Sequence, residues 1–124
     1  DGDGAALMRL GNMATVGAYR PDNFFHLLLD NQVHESTGGQ ATVSPANHFP
    51  VIAAACGYRS VLSEYKGALE FKGYLTAPAP VFMHVVTGKG VPEGLPRPAV
   101  RPAQVARRLM KHLGVNSGWI SAPS

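Results

Sequence analysis

Two short polar stretches contain residues that could bind a metal ion. The first is Gly2-Asp3-Gly4 and the second is Asp30-Asn31, which directly follows an apolar run. If each stretch follows a strand of one parallel sheet, both lie at the carboxyl edge of that sheet, where ligands bind in open α/β folds. The carboxylate of Asp3, the carboxamide of Asn31 and the main-chain carbonyl of Val33 are hard oxygen donors. Mg²⁺ prefers such donors.

The same first turn could also bind phosphate through its backbone. Gly4 and Ala5 would begin a helix, so their N–H groups have no partner within that helix and can donate to phosphate oxygens. A bound cation would offset the repulsion between Asp3 and the phosphate. Asp3 could instead cap the helix, as aspartate often does. The presence of Asn31 at the end of the next strand favours the metal site over that simpler role.

Alternating helices and strands must position these two stretches. Apolar residues at helical spacing predict a helix over residues 5–19, and the continuous apolar run at residues 24–29 predicts a strand buried on both faces. A polar loop is expected from residue 31 to residue 46. The later predicted elements are a helix from the N-cap Asn47 to Cys56, with Pro50 in its first turn and Gly57 as its stop, a strand at 58–62, a helix at 64–75, a strand at 80–87, a Gly/Pro-rich loop at 88–101 and a helix at 102–113.

This order predicts an α/β fold with an open, mostly parallel sheet and helices on both faces. A strand normally leads into a ligand-binding turn such as Gly2-Asp3-Gly4, so we expect the first strand of the sheet to be missing from this chain. Residues 1–113 are expected to form one domain fragment. Residues 114–124 are expected to be a poorly ordered tail.

Composition narrows the class of protein further. The chain has 124 residues, of which 45% are hydrophobic, which is enough for one domain with a core. The net charge of +3 is spread along the chain, which disfavours a nucleic-acid partner and suits a small anionic ligand. Cys56 is the one cysteine, so no disulfide can form within the chain. Neither a membrane span nor a signal peptide is indicated, and we expect a cytoplasmic protein.

The Gly-Asp-Gly turn followed by Asn31 and Val33 resembles the signature of thiamine-diphosphate-dependent enzymes. The sequence of residues 2–17 and 29–44 is similar to that of the phosphonopyruvate decarboxylase branch of the 2-oxoacid decarboxylases. Asp30 matches that branch where many other members of the family have an asparagine. The resemblance continues through residues 85–90 and 95–98, so it covers the chain from residue 2 to about residue 113.

This resemblance implies which residues bind the cofactors, thiamine diphosphate and Mg²⁺. Asp3, Asn31 and the carbonyl of Val33 would hold Mg²⁺, while Gly4 and Ala5 would bind the diphosphate. In the family, a glutamate on a separate pyrimidine-binding domain or subunit activates the cofactor, and the cofactor lies between domains of different subunits. The resemblance therefore implies a homo- or hetero-oligomer that is active only with that second domain.

The reaction implied is decarboxylation of phosphonopyruvate to phosphonoacetaldehyde and CO₂. The β component of sulfopyruvate decarboxylase is one alternative. The thiamine subunit of a 2-oxoacid:ferredoxin oxidoreductase is another, because such subunits share the run Thr-Gly-Gly-Gln found at residues 37–40.

Two parts of the polar loop remain open to two interpretations each. His34 could contact the substrate or shuttle a proton, or it could be a surface loop histidine. Thr37 and Gly38 could donate to the anionic cofactor, or they could form a loop hinge. Arg97 could bind a carboxylate of a partner, although a solvated loop charge is the simpler role. His26 and His84 lie within predicted strands, where structural roles are expected.

Overall fold

The computed structural model describes residues 1–63 and 68–115, without the side chains of residues 68–71. The helices are α1 (Asp3–Met8), α2 (Asn12–Tyr19), α3 (Phe49–Cys56), α4 (Ala68–Thr76) and α5 (Pro102–His112). The strands are β1 (Phe25–Asp30), β2 (Val33–His34), β3 (Gln40–Ala41), β4 (Ser60–Ser63) and β5 (Val81–Val86). The chain divides into two units, and the second begins at Pro92 and contains α5.

A parallel sheet with the strand order β1-β5-β4 forms the centre of the first unit. The predicted α/β fold is therefore confirmed. Gly2 makes a further parallel bridge to Leu29 of β1, and the N–H of Leu29 donates to the carbonyl of Asp1 at 2.8 Å. The residues that lead into α1 thus run beside β1, as the sequence predicted.

Apolar side chains cover the sheet on both faces. Leu28 and Phe82 belong to one core cluster with Met13 and Phe49, from α2 and α3. The neighbouring strand residues point to the opposite face, because side chains alternate along a strand. Their core cluster consists of Tyr74, Ala79, Val81 and Met83, with Leu27, Leu62, Ala77 and Val85 packed against it.

The prediction of a single helix over residues 5–19 is wrong, because this segment forms two helices. The backbone leaves the helical conformation at Arg9, with φ −137° and ψ 42°, and α2 begins after Gly11. The N–H groups of Asn12 and Met13 donate to carbonyls three residues earlier, at 2.9 and 3.1 Å, so the regular hydrogen bonding of an α-helix is interrupted here. The periodic apolar residues hid this break because both helices contribute to the same core.

The prediction of a polar loop over residues 31–46 is also wrong in part. Its centre is a small hairpin, in which β2 and β3 pair antiparallel, with one turn of 3₁₀ helix at Glu35–Thr37 between them. A second 3₁₀ turn at Ser44–Ala46 leads to α3. Two-residue strands are too short to produce the alternating pattern by which strands are predicted from sequence.

Two smaller predictions need correction, and a third is confirmed. Asn47 is not the N-cap of α3; His48 holds that position, and the Asn47 side chain donates to the carbonyl of Val43 at 2.7 Å. β1 is not buried on both faces, since Phe25 is 38% and Leu29 is 46% exposed. Gly57 does end α3, in the left-handed conformation, with φ +102°.

The remaining elements agree with the predictions within a few residues. β4, β5 and α5 lie where strands and a helix were expected, and Pro102 occupies the first turn of α5. Residues 64–67 of the predicted helix, and residues 116–124 of the predicted tail, lie outside the described residues. Among the described residues, the structure contains no helix that is long and apolar enough to cross a membrane.

Candidate metal and diphosphate site

A cavity of about 440 Å³ opens at the carboxyl ends of β1 and β5. Six of the eight residues singled out in the sequence line it: Asp3, Gly4, Ala5, Asn31, Val33 and His34. The other lining residues are Gly2, Leu29, Glu35, Ser36, Thr87, Gly88 and Gly90. The parallel pairing of residues 1–2 with β1 explains this convergence, because it brings the start of α1 beside the end of β1.

Asp3 is the first residue of α1 and is only 2% exposed. Its Oδ2 accepts a hydrogen bond from Oγ1 of Thr42 at 2.6 Å. The N-cap of α1 is Gly2, and no side chain caps the helix. Asp3 therefore does not have the capping role that was the simpler interpretation of the sequence.

Asn31 lies in a tight turn between β1 and β2. Gln32 has φ +64°, a left-handed conformation that is costly for a residue with a side chain. Two local bonds hold this turn: the N–H of Gln32 donates to Oδ1 of Asp30 at 3.1 Å, and the N–H of Val33 donates to Oδ1 of Asn31 at 3.2 Å. The turn directs Asn31 and Val33 into the lining of the cavity.

Asp30 is buried directly beneath this turn, with 3% of its surface exposed. Its Oδ2 accepts from the hydroxyl of Ser44 and lies 2.9 Å from Nε2 of His84. A carboxylate can only accept hydrogen bonds, so Nε2 of His84 donates here. The main-chain carbonyl of Asp30 accepts from the N–H of Thr87 at 2.7 Å. Asp30 therefore ties the turn to β5 and to the chain after β3.

The ring of His34 packs directly against Gly4. A Cβ atom built on Gly4 would lie 2.5 Å from both Cε1 and Nδ1 of that ring. Only glycine allows this approach, which is closer than real Cβ contacts. His34 is half-buried and lines the cavity, so the structure does not support a free surface role for it.

Thr37 and Gly38 do not line the cavity. The Thr37 hydroxyl donates to Oε1 of Gln40, and Nε2 of Gln40 donates to the Thr37 carbonyl at 2.8 Å. Gly38 has φ +116° and Gly39 has φ +75°, values that favour glycine. In this structure these residues form the turn of the β2–β3 hairpin.

Glu35 also lines the cavity, although no pattern in the sequence marked it as a site residue. Its Oε2 accepts from Nδ2 of Asn31 at 3.3 Å and from the N–H of Gly90 at 3.3 Å. Because the amide nitrogen of Asn31 faces the Glu35 carboxylate, the carboxamide oxygen of Asn31 points away from Glu35. Glu35 thereby links Asn31 to the loop that follows β5.

A second, larger cavity of about 610 Å³ lies away from this edge, between α1, α2 and β1. Nδ1 of His26 lies 3.0 Å from the hydroxyl of Tyr58 within its lining. Burial, with a smaller effect of Cys56, raises the pKa of Tyr58 to about 12. Burial, with a smaller effect of the terminal amine, lowers the pKa of His26 even though Asp1 lies 3.5 Å away.

The oxygen donors of the first cavity are the ones that a hard cation could use. They are the Asp3 carboxylate, the Asn31 carboxamide oxygen and the Val33 carbonyl. Among the residues that the structure describes, no group of three or more His, Cys, Asp or Glu side chains is placed to hold a metal ion. A cation here would therefore need donors beyond such side chains, including oxygens of its own ligand.

The fold and this edge define an α/β domain with a cavity at the carboxyl ends of its parallel strands, which is where open α/β folds bind ligands. No protein-family model matches the chain. The chain is 51% identical over 113 residues to the phosphonopyruvate decarboxylase of Streptomyces viridochromogenes and 50% identical to that of Streptomyces hygroscopicus. It is 34% identical over 90 residues to the sulfopyruvate decarboxylase subunit beta of Methanothermobacter thermautotrophicus.

The chain is therefore a homologue of the phosphonopyruvate decarboxylases, which confirms the resemblance noted in the sequence. The similarity covers 87% of this chain but 28% of each of the two Streptomyces proteins. For the archaeal sulfopyruvate decarboxylase subunit, it covers 73% of this chain and 48% of the subunit. The chain thus spans less than a third of the length of the relatives that it matches at 50% identity or more.

Proposed function

We propose that this chain forms the Mg²⁺- and diphosphate-binding part of a thiamine-diphosphate-dependent decarboxylase that acts on phosphonopyruvate. One observation carries the proposal. Asp3 lies 28 positions before Asn31 (31 − 3), yet both line one cavity with Val33 in a chain that is 51% identical to a phosphonopyruvate decarboxylase. The products would be phosphonoacetaldehyde and CO₂.

The residues present fit both cofactors. Mg²⁺ takes oxygen ligands and completes its shell with phosphate oxygens and water, and the buried Asp3 carboxylate beside the cavity supplies one such oxygen. Gly4 and Ala5, in the first turn of α1, line the same cavity, and the free N–H groups at the start of a helix suit an anion. A buried carboxylate next to a diphosphate would be unfavourable without a cation between them. The presence of Asp3 beside a phosphate-binding helix start therefore favours a site that holds both Mg²⁺ and diphosphate.

The residues of this chain would bind and orient the reactants. Asp3, Asn31 and the Val33 carbonyl would hold the cation, while Gly4 and Ala5 would hold phosphate oxygens. When bound, thiamine diphosphate supplies the nucleophilic carbon and the electron sink for decarboxylation. The half-buried imidazole of His34, packed on Gly4, would contact the substrate or hold a proton at a ring nitrogen.

The remaining parts of the active site would come from outside this chain. The chain spans 28% of the relatives named phosphonopyruvate decarboxylase, and other relatives are named as beta subunits. We propose that a pyrimidine-binding domain or subunit supplies the activating glutamate, in a homo- or hetero-oligomer. We propose a cytoplasmic location.

A second candidate is the beta component of a sulfopyruvate decarboxylase. The 34% identity over 73% of this chain supports it, although less strongly than the 51% identity to a phosphonopyruvate decarboxylase. Both groups of relatives are decarboxylases, which favours decarboxylation over the ferredoxin-coupled oxidation that the Thr-Gly-Gly-Gln run also allowed.

The experiment is a substrate comparison on the full-length protein with thiamine diphosphate and Mg²⁺. Release of CO₂ and formation of the aldehyde are followed with phosphonopyruvate, sulfopyruvate and pyruvate. We expect the highest kcat/KM with phosphonopyruvate. A higher value with sulfopyruvate would establish the second candidate, and turnover that requires ferredoxin would overturn both.

A further inference from the structure

One three-residue segment contacts the two buried carboxylates at this edge of the sheet. The hydroxyl of Thr42 donates to Oδ2 of Asp3 at 2.6 Å, and the hydroxyl of Ser44 donates to Oδ2 of Asp30. We call Thr42 and Ser44 the hydroxyl clamp. Nothing in the sequence pattern marked either residue.

The backbone around the clamp is itself fixed. Thr42 follows β3, and its N–H donates to the carbonyl of Gln32 at 2.9 Å. Its Oγ1 also accepts from the N–H of Ser44 at 3.3 Å, and Ser44 begins a 3₁₀ turn. Thr42 is 9% exposed and Ser44 is 2% exposed. The two hydroxyls are therefore held in place by the bonds of the surrounding backbone.

The clamp acts on both sides of the proposed metal site. The bond to Asp3 fixes the plane of that carboxylate and so directs its other oxygen. The bond to Asp30 holds the residue whose Oδ1 closes the Gln32 turn, and this turn presents Asn31 and Val33. One segment thus sets the relative position of donors that belong to the start of α1 and to the end of β1.

We infer that Thr42 and Ser44 are positioning residues for the metal site: they touch neither cation nor cofactor but orient the groups that do. This inference rests on the proposed function. Groups that hydrogen-bond to metal-ligating carboxylates fix their orientation, and removing them typically weakens metal affinity by about 10- to 100-fold.

The test measures binding of the metal itself. Mn²⁺ replaces Mg²⁺ in the full-length protein with thiamine diphosphate present, and free Mn²⁺ is followed by electron paramagnetic resonance. We expect Thr42→Val, which keeps the shape but loses the hydroxyl, to raise the Mn²⁺ dissociation constant about 10- to 100-fold. Thr42→Ser restores the hydroxyl and should bind within about threefold of wild type.

Thr76→Val is the matched control, because the hydroxyl of Thr76 bonds to carbonyls of α4 and is exposed. It should leave Mn²⁺ binding unchanged. Ser44→Ala provides a second, independent variant if Thr42→Val does not fold, and it should also weaken Mn²⁺ binding. A positioning role predicts a higher apparent KM for the cation, with kcat largely recovered at saturating Mg²⁺.

The outcomes separate this inference from the proposed function. Wild-type binding of Mn²⁺ that depends on thiamine diphosphate, together with unchanged affinity in folded Thr42→Val or Ser44→Ala, overturns the inference and leaves the proposed function intact. A lower melting temperature in the variants with an unaltered Mn²⁺ dissociation constant also overturns it, because the role is then purely structural. Wild-type protein that binds no Mn²⁺ with thiamine diphosphate overturns both.

Discussion

Replacing Gly4 by alanine tests how closely the start of α1 approaches His34. The added Cβ would lie 2.5 Å from two atoms of the imidazole ring. Since ordinary contacts of this kind begin near 3.4 Å, the ring must retreat by roughly 1 Å. A side chain can do so by departing from its preferred rotamer, at a cost of about 0.5–1.5 kcal/mol.

The expected loss of stability is therefore small, while the expected loss of function is large. Alanine is more favourable than glycine within a helix by about 0.5–1 kcal/mol, which offsets the cost of moving the ring. We expect the free energy of unfolding of Gly4→Ala to stay within about 1 kcal/mol of wild type. Under the proposed function, His34 contacts the substrate or holds a proton. A displacement of about 1 Å at such a centre can cost about 100-fold in rate, so kcat/KM should fall by about that factor.

Gly17→Ala is the matched comparison, because it makes the same change in α2. Its Cβ would lie 1.6 Å from the carbonyl oxygen of Cys56, which is backbone and cannot rotate away. We expect this variant to lose about 3 kcal/mol of stability, since α2 and α3 must separate. Urea unfolding of both variants gives the stabilities, and steady-state kinetics gives kcat/KM. Equal destabilisation of both variants, or full activity in Gly4→Ala, would refute this reasoning.

Two further predictions concern buried polar groups. Asp30→Asn puts an amide nitrogen where Asp30 now accepts hydrogen bonds, and urea unfolding should show that the free energy of unfolding falls by about 2–4 kcal/mol. Asp22 is exposed, so Asp22→Asn should show almost no loss. Equal losses in the two variants would contradict the buried network. Burial lowers the pKa of His26 below 6.5, so its contribution to stability is present above pH 6.5 and is lost as the pH falls below that value. The urea midpoint should therefore drop less between pH 7.5 and pH 5.5 in His26→Gln than in wild type; an identical drop would show that His26 does not contribute.

The lining of the cavity at the carboxyl ends of β1 and β5 could be predicted from the sequence because it depends on local order. A helical connection between two parallel strand segments brings Asp3 and Asn31 to the same edge, whether it is one helix or two. β5 could be predicted for a similar reason, since its β-branched and aromatic residues favour a strand by themselves. These features need no knowledge of distant contacts.

The supporting network could not be predicted, because its bonds join residues far apart in the chain. His84 bonds to Asp30 across 54 positions and Thr42 bonds to Asp3 across 39 positions. A threonine, a serine and a histidine are common in loops and strands, so no local pattern distinguishes them. The break after Arg9 was missed for a related reason, since the apolar spacing there reflects tertiary packing rather than one continuous helix.

The most direct test of the central claim is the affinity of the full-length protein for thiamine diphosphate, measured by calorimetry with and without Mg²⁺. The account predicts tight binding by wild type only when Mg²⁺ is present. Asp3→Ala should weaken that binding by about 100-fold or more and abolish its dependence on Mg²⁺, because it removes a cation ligand. Equal, Mg²⁺-dependent affinity in wild type and Asp3→Ala would contradict the assignment of this edge as the metal and diphosphate site.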